Sequence, residues 1–497
     1  MKILFCYLLC LGTQILWAAT ETLNRGNGGE PDSLDIHQAQ GINSHNLLMD
    51  LYEGLMTFDA HGQVVTGVAS QHSVSADQLT WHFTLKSDAK WSDGQPVTAH
   101  DFLYAWQRAT DPAVAAPYRH LFEPLMQDNQ LNVKVLNPHE LVLTLSRPDS
   151  SLLNQLVLPV FYPLPSHQPE GKVSNGAYVL ADWRLQEYIE LHKNSFFHDA
   201  QDVYFSHVRY WVTENQNSEL LRFRAGELDI TETIPDNQTA WLKQHLANEL
   251  RLAPYFGTFF LGLNLQDAQL KSKSLRQALN LAIDRHILVD KVLRSGQLPA
   301  QSIIPPQQAQ PMGNFDPEKA RKLLAESGFK AQSEQLEIIY NNSDNQKKVA
   351  LAVAAMWRQN LNIRTRLRSQ EWKVFVNTRK GPNKQIFRSG WIADYLDPVD
   401  FLNLFHSASR FNFYAFSNSG YDQILSTLNQ TQDSLERVRL INEAEDILAE
   451  ELPVIPLYHY VSRHLVSQET GGFHDNHMDK HLSRYLYRQN QSKFSPN

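Results

Sequence analysis

The sequence predicts a mixed α/β protein of at least two lobes, and three observations carry that expectation. The chain has 497 residues, more than a single hydrophobic core usually organises. Strand-like and helix-like patterns alternate along its whole length. No Gly-, Ser- or Pro-rich linker separates one block from the next, which suits lobes that the chain crosses between better than independent beads.

The elements follow in order. Lys2, the apolar stretch from Ile3 to Trp17 and the small pair Ala18-Ala19 read as a secretory signal peptide over residues 1–18. From Gln78 to Leu85 polar and apolar residues alternate, the pattern of a half-buried strand, and Leu141 to Leu145 repeats it. Between them, the run from Thr98 to Trp106 reads as a helix with Thr98 as N-cap and Asp101 closing a capping box. Leu275, Ala278, Leu279, Ala282, Ile283 and Ile287 keep helical spacing, with a stop at Gly296 after Leu293. Asp316-Pro317 places an N-cap before a first-position proline, and Gly328 ends that helix. Asp433 and Glu436 form a further capping box ahead of Leu440, Ala444 and Leu448. Pro453 and Pro456 then break the helix before a strand from Leu457 to Val461.

Composition excludes several functions. Outside the N-terminus no apolar run is long enough to cross a membrane. A formal net charge of -8 argues against a partner held by phosphate neutralisation, so no nucleic acid is expected. Both cysteines, Cys6 and Cys10, fall in the signal peptide, so cleavage leaves no disulfide, thiolate nucleophile or thiolate-bound metal. Cys10 follows Tyr7-Leu8-Leu9, not the small residues of a lipid-attachment site, so the expected product is free in a periplasm. There is no phosphate-binding glycine loop, no H-E-x-x-H helix and no G-x-S-x-G elbow; Ser417-Asn418-Ser419-Gly420 reads as a turn. Neither a cofactor nor an enzyme activity is expected. Among the 20 histidines, His474, His477 and His481 alone have ligand-like spacing, and their Gly- and Asp-rich flanks favour a polar surface turn over a metal site.

Seven segments, in order and in register, resemble the bacterial periplasmic oligopeptide-binding proteins, receptors of peptide-importing ABC transporters. They are Leu51-Tyr52-Glu53-Gly54-Leu55 with Gly67-Val68-Ala69; Ala89 through Phe102, which contains Trp91-Ser92-Asp93-Gly94; and Asn175-Gly176-Ala177-Tyr178. The others are Ala225 through Asp229, Arg276 through Arg285, Gln370-Glu371-Trp372-Lys373, and Gly390 through Tyr395. The resemblance implies a two-lobed, class II periplasmic binding protein with an extra α/β domain on the first lobe. It implies a discontinuous lobe I (19–51, 161–256 and 462–497), an extra domain (52–160) and a lobe II (257–461). It also implies a monomer that encloses a short peptide as an added strand and delivers it to an inner-membrane permease.

The same resemblance nominates site residues. Asp394 matches the aspartate that pairs with a peptide's α-ammonium, whereas Asp397 reads as turn chemistry. Arg379 and Arg388 match arginines that can receive the ligand carboxylate. Tyr104, Trp372 and Trp391 match aromatics lining the cleft. Gln40 stands where the family has an acidic residue, Gln346 where it has a histidine, and Gly257 and Ile392 where close relatives carry a disulfide. A murein tripeptide receptor fits nearly as well. A nickel or metal-chelate receptor fits less well, because a chelate has no ammonium for Asp394 to meet. A secreted hydrolase and a periplasmic chaperone are the readings from other classes.

Overall fold

The computed structural model describes residues 21–167, 173–306, 315–431 and 433–489; the expected leader, with Cys6 and Cys10, lies outside the described residues. Strand β1 (Thr22–Gly28) is followed by helix α1 (Ile42–Leu51). The chain then builds a four-stranded antiparallel sheet from β2 (Ala69–Val74), β3 (Thr80–Leu85), β4 (Val133–Asn137) and β5 (Glu140–Thr144), ordered β2-β3-β5-β4. Helix α2 (Ala99–Thr110) lies between β3 and β4 in sequence. The next three strands, β6 (Tyr178–Arg184), β7 (Tyr188–Lys193) and β8 (His207–Val212), return to β1 and form a sheet ordered β1-β8-β7-β6, with β1 parallel to β8. The third large sheet takes β9 (Leu250–Leu263), β10 (Gln335–Asn341), β11 (Arg364–Gln370), β12 (Ile386–Ile392) and β13 (Val454–Leu465), ordered β13-β9-β12-β10-β11. Helices α3 (Lys273–Leu281), α4 (Pro317–Ser327), α5 (Asp344–Leu361), α6 (Trp372–Lys380) and α7 (Ser434–Glu451) connect or cover these strands.

Local chemistry explains most of these boundaries. Along β3, Trp81, Phe83 and Leu85 are buried and their neighbours are not, as the alternation requires. The α2 capping box forms: Asp101 Oδ2 accepts from the Thr98 amide at 2.8 Å, and Trp91 Nε1 donates to the same oxygen at 3.3 Å. Asp316 Oδ1 accepts from the Lys319 amide at 2.9 Å, and Gly328 closes α4 at φ 75°. Asp433 caps α7 through the Glu436 amide at 2.8 Å.

Two elements differ from expectation. The periodicity from Leu275 to Leu293 reads as one helix, but α3 stops at Leu281 and a wider turn resumes over Ile287–Leu293. Arg285 is buried there and donates from Nε to the Pro456 carbonyl at 2.8 Å and from Nη1 to the Asn280 and Ile283 carbonyls at 3.3 Å. The Asn280 and Ile283 carbonyls are ones a continuing helix would have bonded. Pro456 sits inside β13 instead of before it, and the β9–β13 register slips next to it, between Phe259 and Phe260. A bulge accommodates a residue with no amide proton.

Strands β9 and β13 are the long elements, with 14 and 12 residues. At one end Leu250, Leu252 and Leu465 pack with Phe223 and Leu242; at the other, Leu261, Leu263, Ile455 and Leu457 belong to the core under β10 and α5. The paired strands thus run from one body into the other, and their register shifts between Pro254 and Thr258 on the way. After β13 the C-terminal segment folds back onto the β1 sheet, where Arg25 Nη1 donates to the His481 carbonyl at 2.7 Å and Asp50 Oδ1 accepts from the Ser483 amide at 3.0 Å.

Candidate functional site

Strand β12 pairs with β9 along its full length but with β10 only at Ile386 and Phe387. From Arg388 to Ile392, therefore, one edge has no strand partner among the described residues. An edge of this kind is a template for another extended chain. At the end of β12 the Ala393 amide donates to the Phe256 carbonyl at 2.9 Å, which holds the backbone as it enters Asp394. Asp400 then accepts the Asp394 amide at 3.0 Å and Trp391 Nε1 at 2.6 Å, both on Oδ2.

The Asp394 side chain itself receives no hydrogen bond from the described residues. Burial pushes its carboxyl up to about 6, and Lys480 and Arg410 pull it back only in part. Asp400 is held well above the usual carboxylate range by burial and then by the neighbouring Asp394 charge. A cleft of about 550 Å³ opens here, lined by Trp391, Asp394 and Arg410 on one side and by His120, Arg147 and Asp149 on the other. Arg410 Nη2 bonds His120 Nδ1 at 2.8 Å. This corner therefore places a carboxylate with no hydrogen-bond donor among the described residues beside an open cleft.

The other end of the β12 edge has the opposite character. Neither Arg388 nor Arg379 has a carboxylate partner among the described residues, and the Nε of each is buried without an acceptor. Arg388 lies 5.4 Å from the Phe259 ring centroid and Arg379 4.9 Å from that of Phe413. Burial, then the charge of Arg388, lowers the Arg379 pKa, although Tyr414 opposes them. Burial and Arg379 bring Lys384 down to about 8. Arg388 and Asp394 are six positions apart on an extended chain, about 20 Å at the rise of a strand.

The remaining nominees stand elsewhere. Tyr104 is half-buried on α2, one turn before Arg108, which binds Asp35. Trp372 begins α6 with its ring 50% exposed and set against Phe375. Gln40 is exposed and gives its amide to Asp32 Oδ2 at 2.9 Å. Gln346 is half-buried in the first turn of α5, and its Oε1 is buried without a donor. None of these four lines the Asp394 cleft. Gly257 and Ile392 face each other across β9 and β12 as a register pair. Asp397 is buried and accepts Ser151 Oγ and Arg437 Nη2, each at 3.0 Å, which ties the β2–β5 domain to the large sheet's body.

The histidine trio does not converge. His474 is exposed and its ring lies tilted against that of His61, with centroids 4.3 Å apart. His477 offers its carbonyl to Phe256, and His481 turns inward to Asp479. In an extended loop, i, i+3, i+7 spacing does not place side chains on one face. Sequence reasoning also missed Asp400, Arg410 and Lys480, which set the charge at Asp394. The last two come from distant segments, and no motif marks them.

Two bodies joined by a pair of crossing strands, with a charged cleft at their junction, define a solute-binding receptor. The chain belongs to the bacterial extracellular solute-binding proteins, family 5, whose middle-region model matches residues 63–413. It is 36% identical to the periplasmic oligopeptide-binding protein OppA of Salmonella typhimurium, covering 92% of this chain and 90% of that one. It is 31% identical to the periplasmic murein peptide-binding protein MppA of Escherichia coli over 95% of this chain and 94% of that one. The unliganded open form of MppA superposes with a TM-score of 0.83, covering 95% and 98% of the two chains. OppA of Haemophilus influenzae in complex with RPPGFSPFR, 32% identical, superposes with a TM-score of 0.77 over 95% and 99%.

Proposed function

We propose that this chain is the periplasmic receptor of a peptide-importing ABC transporter and encloses short peptides between its two lobes. The observation that carries the reading is the Asp394 carboxylate, half-buried and without a donor among the described residues, at the end of an unpartnered strand edge. A peptide laid along Arg388–Ile392 makes backbone hydrogen bonds that ignore its sequence. Its α-ammonium meets Asp394, and its carboxylate falls toward Arg388 and Arg379. A buried charge without a counter-charge costs several kcal/mol, so the two ends of the cleft select a free, zwitterionic peptide.

In this reading lobe I is 19–51, 161–256 and 462–497, the extra domain is 52–160, and lobe II is 257–461. The crossings within β9 and β13 form the hinge. Residues 1–18 are the export leader, and peptide leaves the cleft chemically unchanged, with no turnover. The deciding experiment is native mass spectrometry of the purified protein, followed by denaturation and identification of what is released. Mixed peptides of a few residues support a general peptide receptor. One dominant species bearing a D-amino acid or diaminopimelate moves the ligand to murein peptides. A metal chelate, or nothing that a free peptide displaces, overturns the proposal.

A further inference from the structure

A second cluster lies apart from the Asp394 cleft. His464 comes from β13, and Asp479 and His481 come from the C-terminal segment. Asp479 Oδ1 stands 2.8 Å from His464 Nε2 and 3.0 Å from His481 Nε2, and the three candidate ligand atoms lie within 4.8 Å of one another. Their side chains are only 10%, 11% and 5% exposed. His464 Nδ1 faces the Thr231 carbonyl at 2.9 Å, which keeps the ring proton there and turns Nε2 toward Asp479. Arg25 holds the other strand of the cluster through the His481 carbonyl and Ser483 Oγ.

We propose that His464, Asp479 and His481 bind one first-row divalent cation of the zinc class and so pin the C-terminal segment to the hinge strand. Two imidazole nitrogens and one carboxylate oxygen are a donor set that such ions take, and imidazole ligation favours them over calcium or magnesium. A cavity of about 20 Å³ adjoins the three side chains. That is room for about one water, which completes a four-coordinate sphere. The half-buried Glu232 lines the same cavity. None of the residues around this cavity lines the Asp394 cleft. Without an ion, the two imidazoles hold Asp479 by hydrogen bonds and, when protonated, as ion pairs.

The test uses the purified full chain, stripped with a chelator and titrated with Co²⁺ as a spectroscopic probe. The expected result is one Co²⁺ per chain, with the strong visible bands of a four-coordinate site, displaced by Zn²⁺. His481→Gln should lose the bands and keep its far-ultraviolet circular dichroism, and Zn²⁺ should raise the melting temperature of the parent but not of this variant. A second variant, His192→Gln, breaks the exposed cross-strand group Glu190, His192 and His207, the other cluster of this kind among the described residues. It should leave the bands intact. Absence of stoichiometric Co²⁺, or bands that survive His481→Gln and vanish in His192→Gln, overturns the proposal. Peptide affinity plays no part in this readout, so either proposal can fail without the other.

Discussion

At the scale of the residue, Asp394 accepts no hydrogen bond from the described residues in the empty protein, and Lys480 and Arg410 offset its burial only in part, which makes its role separable from stability. Asp394→Asn should weaken a free tripeptide by about 100-fold or more in calorimetric titration, since an ammonium then sits buried against a neutral amide. The melting temperature of the empty variant should stay level or rise, because the amide has no charge to desolvate. The pH dependence follows from the same burial. Only the carboxylate attracts the ammonium, and its pKa is near 6 before ligand arrives. Affinity should therefore be flat above about pH 7 and fall roughly tenfold per unit as pH drops below the raised value. Stability of the empty protein moves the other way. A carboxyl raised above its usual value favours the protonated fold, so the penalty is present above about pH 6 and is relieved as pH falls toward 3.8. Asp394→Asn should remove the affinity trend and its own share of the stability trend, leaving the share that the buried Asp400 carries. At the opposite end, Arg388→Gln should weaken free-acid peptides by about tenfold or more and change C-terminally amidated ones little, a difference that competition titrations with the two forms will measure.

At the scale of the element, the readable parts of the sequence were those written in local chemistry. The β3 alternation, the Thr98–Asp101 capping box and the Asp316-Pro317 start each name their structure within a few residues. The failures came where a distant partner intervened. Beyond the end of α3, Arg285 donates to the Pro456 carbonyl, and that proximity exists only once β13 is in place. Arg410 and Lys480 reach Asp394 from the loop after β12 and from the C-terminal tail, contacts that periodicity cannot report. Asp397 shows the same limit. It looks like a turn residue, yet Ser151 Oγ binds it across the boundary between the β2–β5 domain and the large sheet's body, and Arg437 binds it from α7. Asp397→Ala should therefore destabilise by about 3–5 kcal/mol in urea denaturation, because Arg437 loses its buried counter-charge. Thr98→Ala, which removes only a cap, should cost about 1 kcal/mol.

In the whole molecule, the two crossing strands join one body to the other. The groups proposed to meet a zwitterionic ligand, Asp394, Arg379 and Arg388, lie on the large sheet's body, and across the Asp394 cleft stand His120, Arg147 and Asp149 of the β2–β5 domain. A ligand that touches both sides binds the closed arrangement better than the open one, and so shifts the population toward it. The β9–β13 ladder can bend where its pairing is already irregular, between Pro254 and Thr258, without breaking the packed sheet on either side. Small-angle scattering should accordingly show the radius of gyration fall when a bound tripeptide saturates the protein. At a ligand concentration 100 times Kd, the folded state should gain about 2.7 kcal/mol, read as a rise in melting temperature. Asp394→Asn should lose both effects at the same peptide concentration while keeping the dimensions of the empty parent. If peptide raised the melting temperature with no change in the radius of gyration, the ligand would be resting on one lobe, and the strand pair would be a rigid connection instead of a hinge.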